Sequence, residues 1–304
     1  MATVDVDRDR VIRTLTFWLR PRFVLRVVGR FQKVVGFDRA VALASSALTA
    51  IIPLAINTSS IASSLGGKDT ADRIIDRYGL TGGSAEAVHD IFSPSGASTS
   101  LGLIGAVFLL VALLSFTRAV QRLFEQTWEL KPLSVRNSLN GLRWLGGLTL
   151  YMGFAGLLHG WLGRSELDVA PTLIVAPLSF VFLIWSGRML TAQRVERGRL
   201  VPFGVVGAAL LAVYSVGAAV YVPHLFDTYS TRYGVIGAVF AIISALFCMM
   251  VVVVGSAALG REVDDELARI RRGERPADDE VRRQWDEITT LARTRWEAVR
   301  TRRK

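Results

Sequence analysis

The chain has 304 residues, is 51% hydrophobic with a mean hydropathy of +0.38, and carries a net charge of +10. That is too apolar for an ordinary soluble domain of this length. A single cysteine, Cys248, and three scattered histidines exclude a disulfide framework or a zinc cluster within one chain.

Residues 1–39 form a basic segment. In 10–36, Val11, Ile12, Leu15, Trp18 and Leu19 alternate with arginines, and Phe23, Val24, Val27, Val28 and Phe31 continue the apolar face after Pro21. This pattern predicts a basic amphipathic helix, broken at Pro21, lying on the inner leaflet. Six runs then lack Asp, Glu, Lys and Arg altogether: 40–67, 91–117, 144–163, 169–187, 200–226 and 233–260. About 20 apolar residues cross a bilayer as a helix. The strict alternation of a membrane β-barrel is missing. The expected fold is therefore all-α, a membrane domain over 40–260 with spans near 40–62, 101–117, 144–163, 169–187, 200–222 and 234–260. The first run begins at Ala40, too far along for a cleaved signal peptide, so it is expected to be a retained span. The segment 63–100 is punctuated by Gly66-Gly67, Gly82-Gly83 and Pro94-Ser95-Gly96, which predicts short helices over 69–79 and 84–92. They would form either a gate or a passive lid. Residues 261–304 are expected to be a charged cytoplasmic tail with a helix after Pro276, open to a protein partner.

Charge sets the expected orientation. Of the 36 Lys and Arg residues, 31 fall in 1–39, 118–143, 188–199 and 261–304. Basic loops stay cytoplasmic, so both termini are placed inside a bacterial plasma (inner) membrane. The pI near 10.4 then reflects a basic face against anionic membrane lipids. No nucleic-acid-binding motif accompanies it.

Three sets of residues stand out. On the first span Ser45, Thr49, Pro53 and Asn57 recur at intervals of four, making a polar line. Pro53 frees the carbonyl of Thr49, so the line is either a midplane polar pathway or a set of interhelical hydrogen bonds. After the second span, Val120, Leu123, Phe124, Thr127 and Trp128 form an apolar face opposite Arg118, Gln121, Arg122 and Glu125. This predicts a helix continuing at headgroup level, with Arg122 paired to Glu125. The polar face is a boundary anchor or an inner-mouth or headgroup contact. On the third span Gly146, Gly153, Gly156, Gly160 and Gly163 share one face with Thr149. With Gly234 and Gly237 on the sixth span, they are expected to serve close helix packing. No Asp, Glu, Lys or Arg lies within any of the six runs, and no P-loop or nucleophile elbow is present, so neither an enzyme, a cofactor nor a metal is expected.

Three stretches carry a family resemblance: SFTRAVQRLFEQTWELKP (115–132), FDRAVALASSALTAIIPLAI (37–56) and YSTRYGVIGAVFAII (229–243). Together they resemble the YihY/BrkB family of bacterial inner-membrane proteins, closest to its YhjD-like branch. That family was once assigned a ribonuclease BN activity. In this chain Cys248 stands where many members have Trp, and Gly260-Arg261-Glu262 is the nearest match to a closing Gly-Ala-Glu. The resemblance implies a six-helix membrane protein with transport or envelope roles. The leading expectation is a transporter or exporter of a lipid or other amphiphile. The alternative is a membrane scaffold that assembles envelope machinery, ahead of a membrane-bound enzyme.

Overall fold

The computed structural model describes residues 17–64, 70–92, 99–133, 138–162, 169–274 and 283, with some side chains inside the helices left outside that description. The described residues are helical, without a strand: α1 (Pro21–Lys33), α2 (Gly36–Ser64), α3 (Thr70–Tyr78), α4 (Gly83–Phe92), α5 (Thr99–Thr127), α6 (Ser138–Leu162), α7 (Val169–Leu190) and α8 (Arg197–Arg271). Two are long and apolar enough to cross a membrane, α5 over Val107–Thr127 and α8. The α1–α2 pair, bent by 50°, adds a third if the two count as one span.

A straight helix of 75 residues would run about 110 Å at 1.5 Å per residue, against a hydrocarbon core of about 30 Å. α8 instead breaks at Gly234, which takes φ +57° and ψ −136°. Only glycine reaches that region without steric cost. The residues on either side then fold back as two antiparallel arms. The Tyr214 hydroxyl donates to the carbonyl of Ala245, 2.9 Å away on the other arm. Further along, Gly260 meets Phe203 so closely that an added Cβ would lie 2.4 Å from the Phe203 Cα. Gly237 fits against the Tyr229 carbonyl in the same way near the turn.

α2, α4 and α7 dock on this hairpin, α5 joins it mainly through α2, and α6 packs on α5 and α7. The stripe Ala40, Leu43, Ala44, Ala47 and Ala50 is the buried face of α2. It joins a core with Leu123 and Phe124 of α5, Trp128 just past its end, and Leu200, Phe203 and Val254 of α8. Phe124 and Trp128 stack at 5.3 Å, and Phe203 meets both edge-on. A second core forms at the hairpin tip, where Ala87 and Val88 of α4 pack with Val222, Leu225, Phe226 and Ala238. Ser84 donates to Asp227 at 2.8 Å there. The two short helices expected between the first and second apolar runs are therefore present as α3 and α4, and α4 is held down by both apolar and polar contacts. At the other end of the chain, α8 continues without interruption to Arg271, eleven residues past the last apolar run. Val281 and Trp285, on the helix expected after Pro276, lie outside the described residues.

Because the two α8 arms touch backbone to backbone at Gly260, Gly260→Val is expected to cost about 2 kcal/mol by overpacking. Gly255→Ala, at a helical position with nothing within 4 Å, should be neutral or slightly stabilising. Thermal unfolding of both variants in the same detergent checks the contrast.

Candidate functional site

The densest ion-pair network among the described residues lies at the end of the bundle opposite the hairpin tip. α1 begins with Pro21 at its first turn, where a missing N–H costs nothing. Its arginines at 26 and 30 are one helical turn apart, as are Glu262 and Glu266 on α8, so each pair presents to one side. Arg26 reaches Glu262 at 2.7 Å and Glu266 at 2.6 Å. Arg30 reaches Glu262 at 3.0 Å and Asp265 at 2.7 Å. Arg20, which also lies over the Phe17 ring, pairs with Glu266, and both side chains are almost fully buried. Arg269 closes the network onto Glu266 at 2.6 Å, while Arg199 and Arg261 bind Asp264. Six arginines thus surround four carboxylates, and Arg20 Nη1 and Arg261 Nε are buried without a hydrogen-bond partner. The cluster keeps an excess of positive charge.

Burial alone would raise the Glu262 carboxyl, but hydrogen bonds from Arg26 and Arg30 and their charges outweigh it, leaving it below the ordinary value. Burial, then the nearby charge of Arg199 and Arg30, lowers Arg261, although Asp265 and Asp264 oppose this. On α2, Arg39 donates to Gln126 of α5, and its Nε is buried and unpartnered. Burial and the facing Arg122 charge push the Arg39 guanidinium below its usual range. This corner offers cationic hydrogen-bond donors to anions and no acid or nucleophile poised for covalent chemistry. Among the described residues, no group of three or more His, Cys, Asp and Glu could hold a metal.

The inner-end residues picked from the sequence divide into two kinds. Arg118 and Arg122 are exposed, while Gln121 is half-buried and Glu125 buried. Glu125 is no headgroup contact and does not pair with Arg122. It accepts from Gln121 at 3.0 Å, from the Leu133 backbone N–H at 2.9 Å and from Arg194 at 3.4 Å. Arg194 also donates to the Lys131 carbonyl at 2.6 Å. Glu125 therefore ties the end of α5 to the connection before α8. The apolar face Val120, Leu123, Phe124, Thr127 and Trp128 is likewise buried in protein and not laid on lipid. Phe203 and Leu200 of α8 supply a better-packed partner than acyl chains.

On α2, Ser45 and Thr49 occupy the exposed flank, with the Thr49 hydroxyl donating to the Ser45 carbonyl at 2.9 Å. The surroundings of Pro53 and Asn57 lie outside the described residues. Three glycines of the α6 stripe face no neighbour among the described residues. Gly146, Gly153 and Gly156 have nothing within 4 Å of where a Cβ would stand. α6 instead turns Gly147 to α7, where the Trp185 ring lies 2.2 Å from that position, and Trp144 donates to Ser186 at 3.0 Å. The indole needs a flat, vacant seat, and Gly147 provides it. Gly160 and Gly163 fall outside the described surroundings. Gly234 turns the hairpin and is not a contact residue. The reading from sequence missed Arg20, Arg26, Arg30, Glu262 and Glu266. Their signal was two charge pairs of opposite sign, each at i, i+4, on separate helices.

A helical protein with long apolar spans and its charges kept to the helix ends and connections is a membrane protein. The family model described as "Virulence factor BrkB" matches residues 27–280, and the chain belongs to that family. No curated protein and no solved structure matches it.

Glu266→Ala would leave Arg20 buried and unpaired, at an expected cost of about 3 kcal/mol or more. Glu274→Ala, which breaks only the exposed pair with Arg272, should change nothing measurable. Denaturation midpoints compare the two. The depressed Glu262 carboxyl stabilises the docked α1 above the unfolded-chain value of about 4.3, and this contribution is lost as pH falls through the lower folded value. The protection factor of the α1 amides, taken against the intrinsic exchange rate at each pH, is therefore expected to be flat from neutral pH down to about pH 5 and to fall on further acidification.

Proposed function

We propose that the protein is a six-span bacterial inner-membrane protein, both termini cytoplasmic, that transports or exports a lipid or other amphiphile for the cell envelope. The two arms of α8 would count as separate spans, joined by α2, α5, α6 and α7. The basic excess at 1–39, 118–143, 188–199 and 261–304 supports the orientation. The observation that carries the transport reading is the placement of the α2 hydroxyls. Ser45 and Thr49 lie on a flank open to the side of the bundle, above the cationic corner of Arg39 and Arg122. A small hydrated ion needs an enclosed polar lumen. An amphiphile can instead travel along a lateral face, its headgroup on polar side chains and its tail in lipid. The uncharged runs suit such cargo better than a pump driven by a buried carboxylate.

A second reading, a scaffold for envelope machinery, draws on the outward glycine stripe of α6. Gly146, Gly153 and Gly156 would let a helix of another chain approach closely. The scaffold reading predicts contact through that stripe and no lipid movement.

Purified protein in lipid vesicles separates the two. Transfer of a fluorescent phospholipid between leaflets should exceed that of protein-free vesicles. Ser45→Val/Thr49→Val should slow it about fivefold, the effect of losing about 1 kcal/mol of polar contact. Transfer equal to that of empty vesicles, with Gly153→Leu/Gly156→Leu breaking an oligomer on sizing, would favour the scaffold.

A further inference from the structure

A groove of about 370 Å³ opens between the charged end of α7 and the first turn of α8. Its lining changes character along its length. Phe180, Val181, Ile184 and Trp185 give an apolar wall, while Arg188, Gln193 and Arg197 form the other end. Arg188 is the first charge after the uncharged run 169–187. Val181 lies seven residues back along α7, about 10 Å deeper. Val181 is 61% exposed, so the apolar part is open to the side of the bundle.

The two guanidiniums are free for a ligand. Arg188 makes only a long contact of 3.5 Å to Gln193. Among the described residues neither Arg188 nor Arg197 pairs with a carboxylate, and the nearest acid in sequence, Glu196, is not in the lining. This sets them apart from the arginines of α1 and from Arg199 and Arg261, whose charges are taken by α8 acids. Trp185 is fixed by its seat on Gly147, so the wall of the groove is pre-formed.

The geometry points to a binding site for one anionic phospholipid of the leaflet at the charged end of the bundle. Its phosphate and acidic headgroup would lie between Arg188 and Arg197, and the upper part of one acyl chain would run along Trp185, Ile184 and Val181. Two guanidiniums in fork geometry match a phosphodiester. The apolar stretch beyond them has no use for a free anion but fits a chain that starts at headgroup depth. Tryptophan at that boundary matches the usual interfacial placement. The inference needs the chain to sit in a membrane but not that it moves lipid. A groove lipid can remain bound while another is transported.

Native mass spectrometry of the full chain, released from discs of equal phosphatidylglycerol and phosphatidylethanolamine, reads the site directly. Wild type should retain phosphatidylglycerol preferentially. Arg188→Gln/Arg197→Gln should lower that preference about thirtyfold, given about 1 kcal/mol for each of the two basic residues at an anionic surface. Lys131→Gln/Arg271→Gln removes two exposed charges outside the groove and should leave it unchanged. Val181→Trp fills the apolar part and should reduce bound lipid with both arginines in place, which keeps the test open if the double variant folds poorly. An unchanged lipid ratio in the groove variants overturns the proposal. An equal loss in the Lys131/Arg271 control shows a bulk charge effect and also overturns it. Displacement of the lipid by inorganic phosphate alone would make the site one for a free anion. Leaflet-transfer rates, measured separately, report on transport and not on this site.

Discussion

The bundle depends on the contact between the two arms of α8. In a bilayer, apolar helices gain little from hydrophobic burial against one another, because lipid is as apolar as they are. What holds them is close packing, and the two arms meet backbone to backbone where Gly260 lies on Phe203. The turn at Gly234 makes that contact possible. α4 and α7 find their main partner on this hairpin, through Val88 and Leu183, and α2 packs as much on it as on α5. α5 is joined to the hairpin chiefly through α2, with Phe124 reaching Phe203 directly.

Charge supplies the second organising force, and it acts only at the ends. Carboxylates at Glu262, Asp264, Asp265 and Glu266 follow the last apolar run, where desolvation is partial and arginines from α1 can reach them. A buried pair of this kind adds little net stability over an apolar substitute, yet losing one partner is costly. Its effect is to fix where α1 sits. The outward faces of Val24, Leu25 and Val28 on α1 are then presented to the interface as a consequence of the ion pairs. The amphipathic character of that segment and its positioning thus have different physical sources.

Much of this was legible in the sequence. Uncharged runs of bilayer length gave the helical membrane domain, Pro21 marked the start of α1, and paired glycines bounded α3 and α4. These signals are local, and local chemistry dictates them. The misreadings concern partners. The glycine stripe of α6 has the spacing of a packing face, but α7 offers Trp185, and Gly147 is the seat that fits it. The apolar face at Val120–Trp128 has the moment of an interfacial helix, which is the same moment a helix needs to dock on protein. Glu125 was one turn from Arg122 on its own helix, and a distant Arg194 satisfied it instead. Periodicity reports that a face is buried and leaves open what buries it.

The ion pair between Arg20 and Glu266 joins residues 246 positions apart. At ordinary rates of synthesis, about 5–20 residues per second, the arginines of α1 wait tens of seconds before their carboxylates exist. During that interval α1 is a strongly basic amphipathic helix with no protein partner, free to hold the nascent chain against the anionic membrane surface. Closing the network then requires that the last span has been inserted in the correct direction, with its carboxylates on the same side as α1. A chain whose final helix enters reversed would leave these arginines unmatched, so the last contact to form also tests the topology of everything made before it.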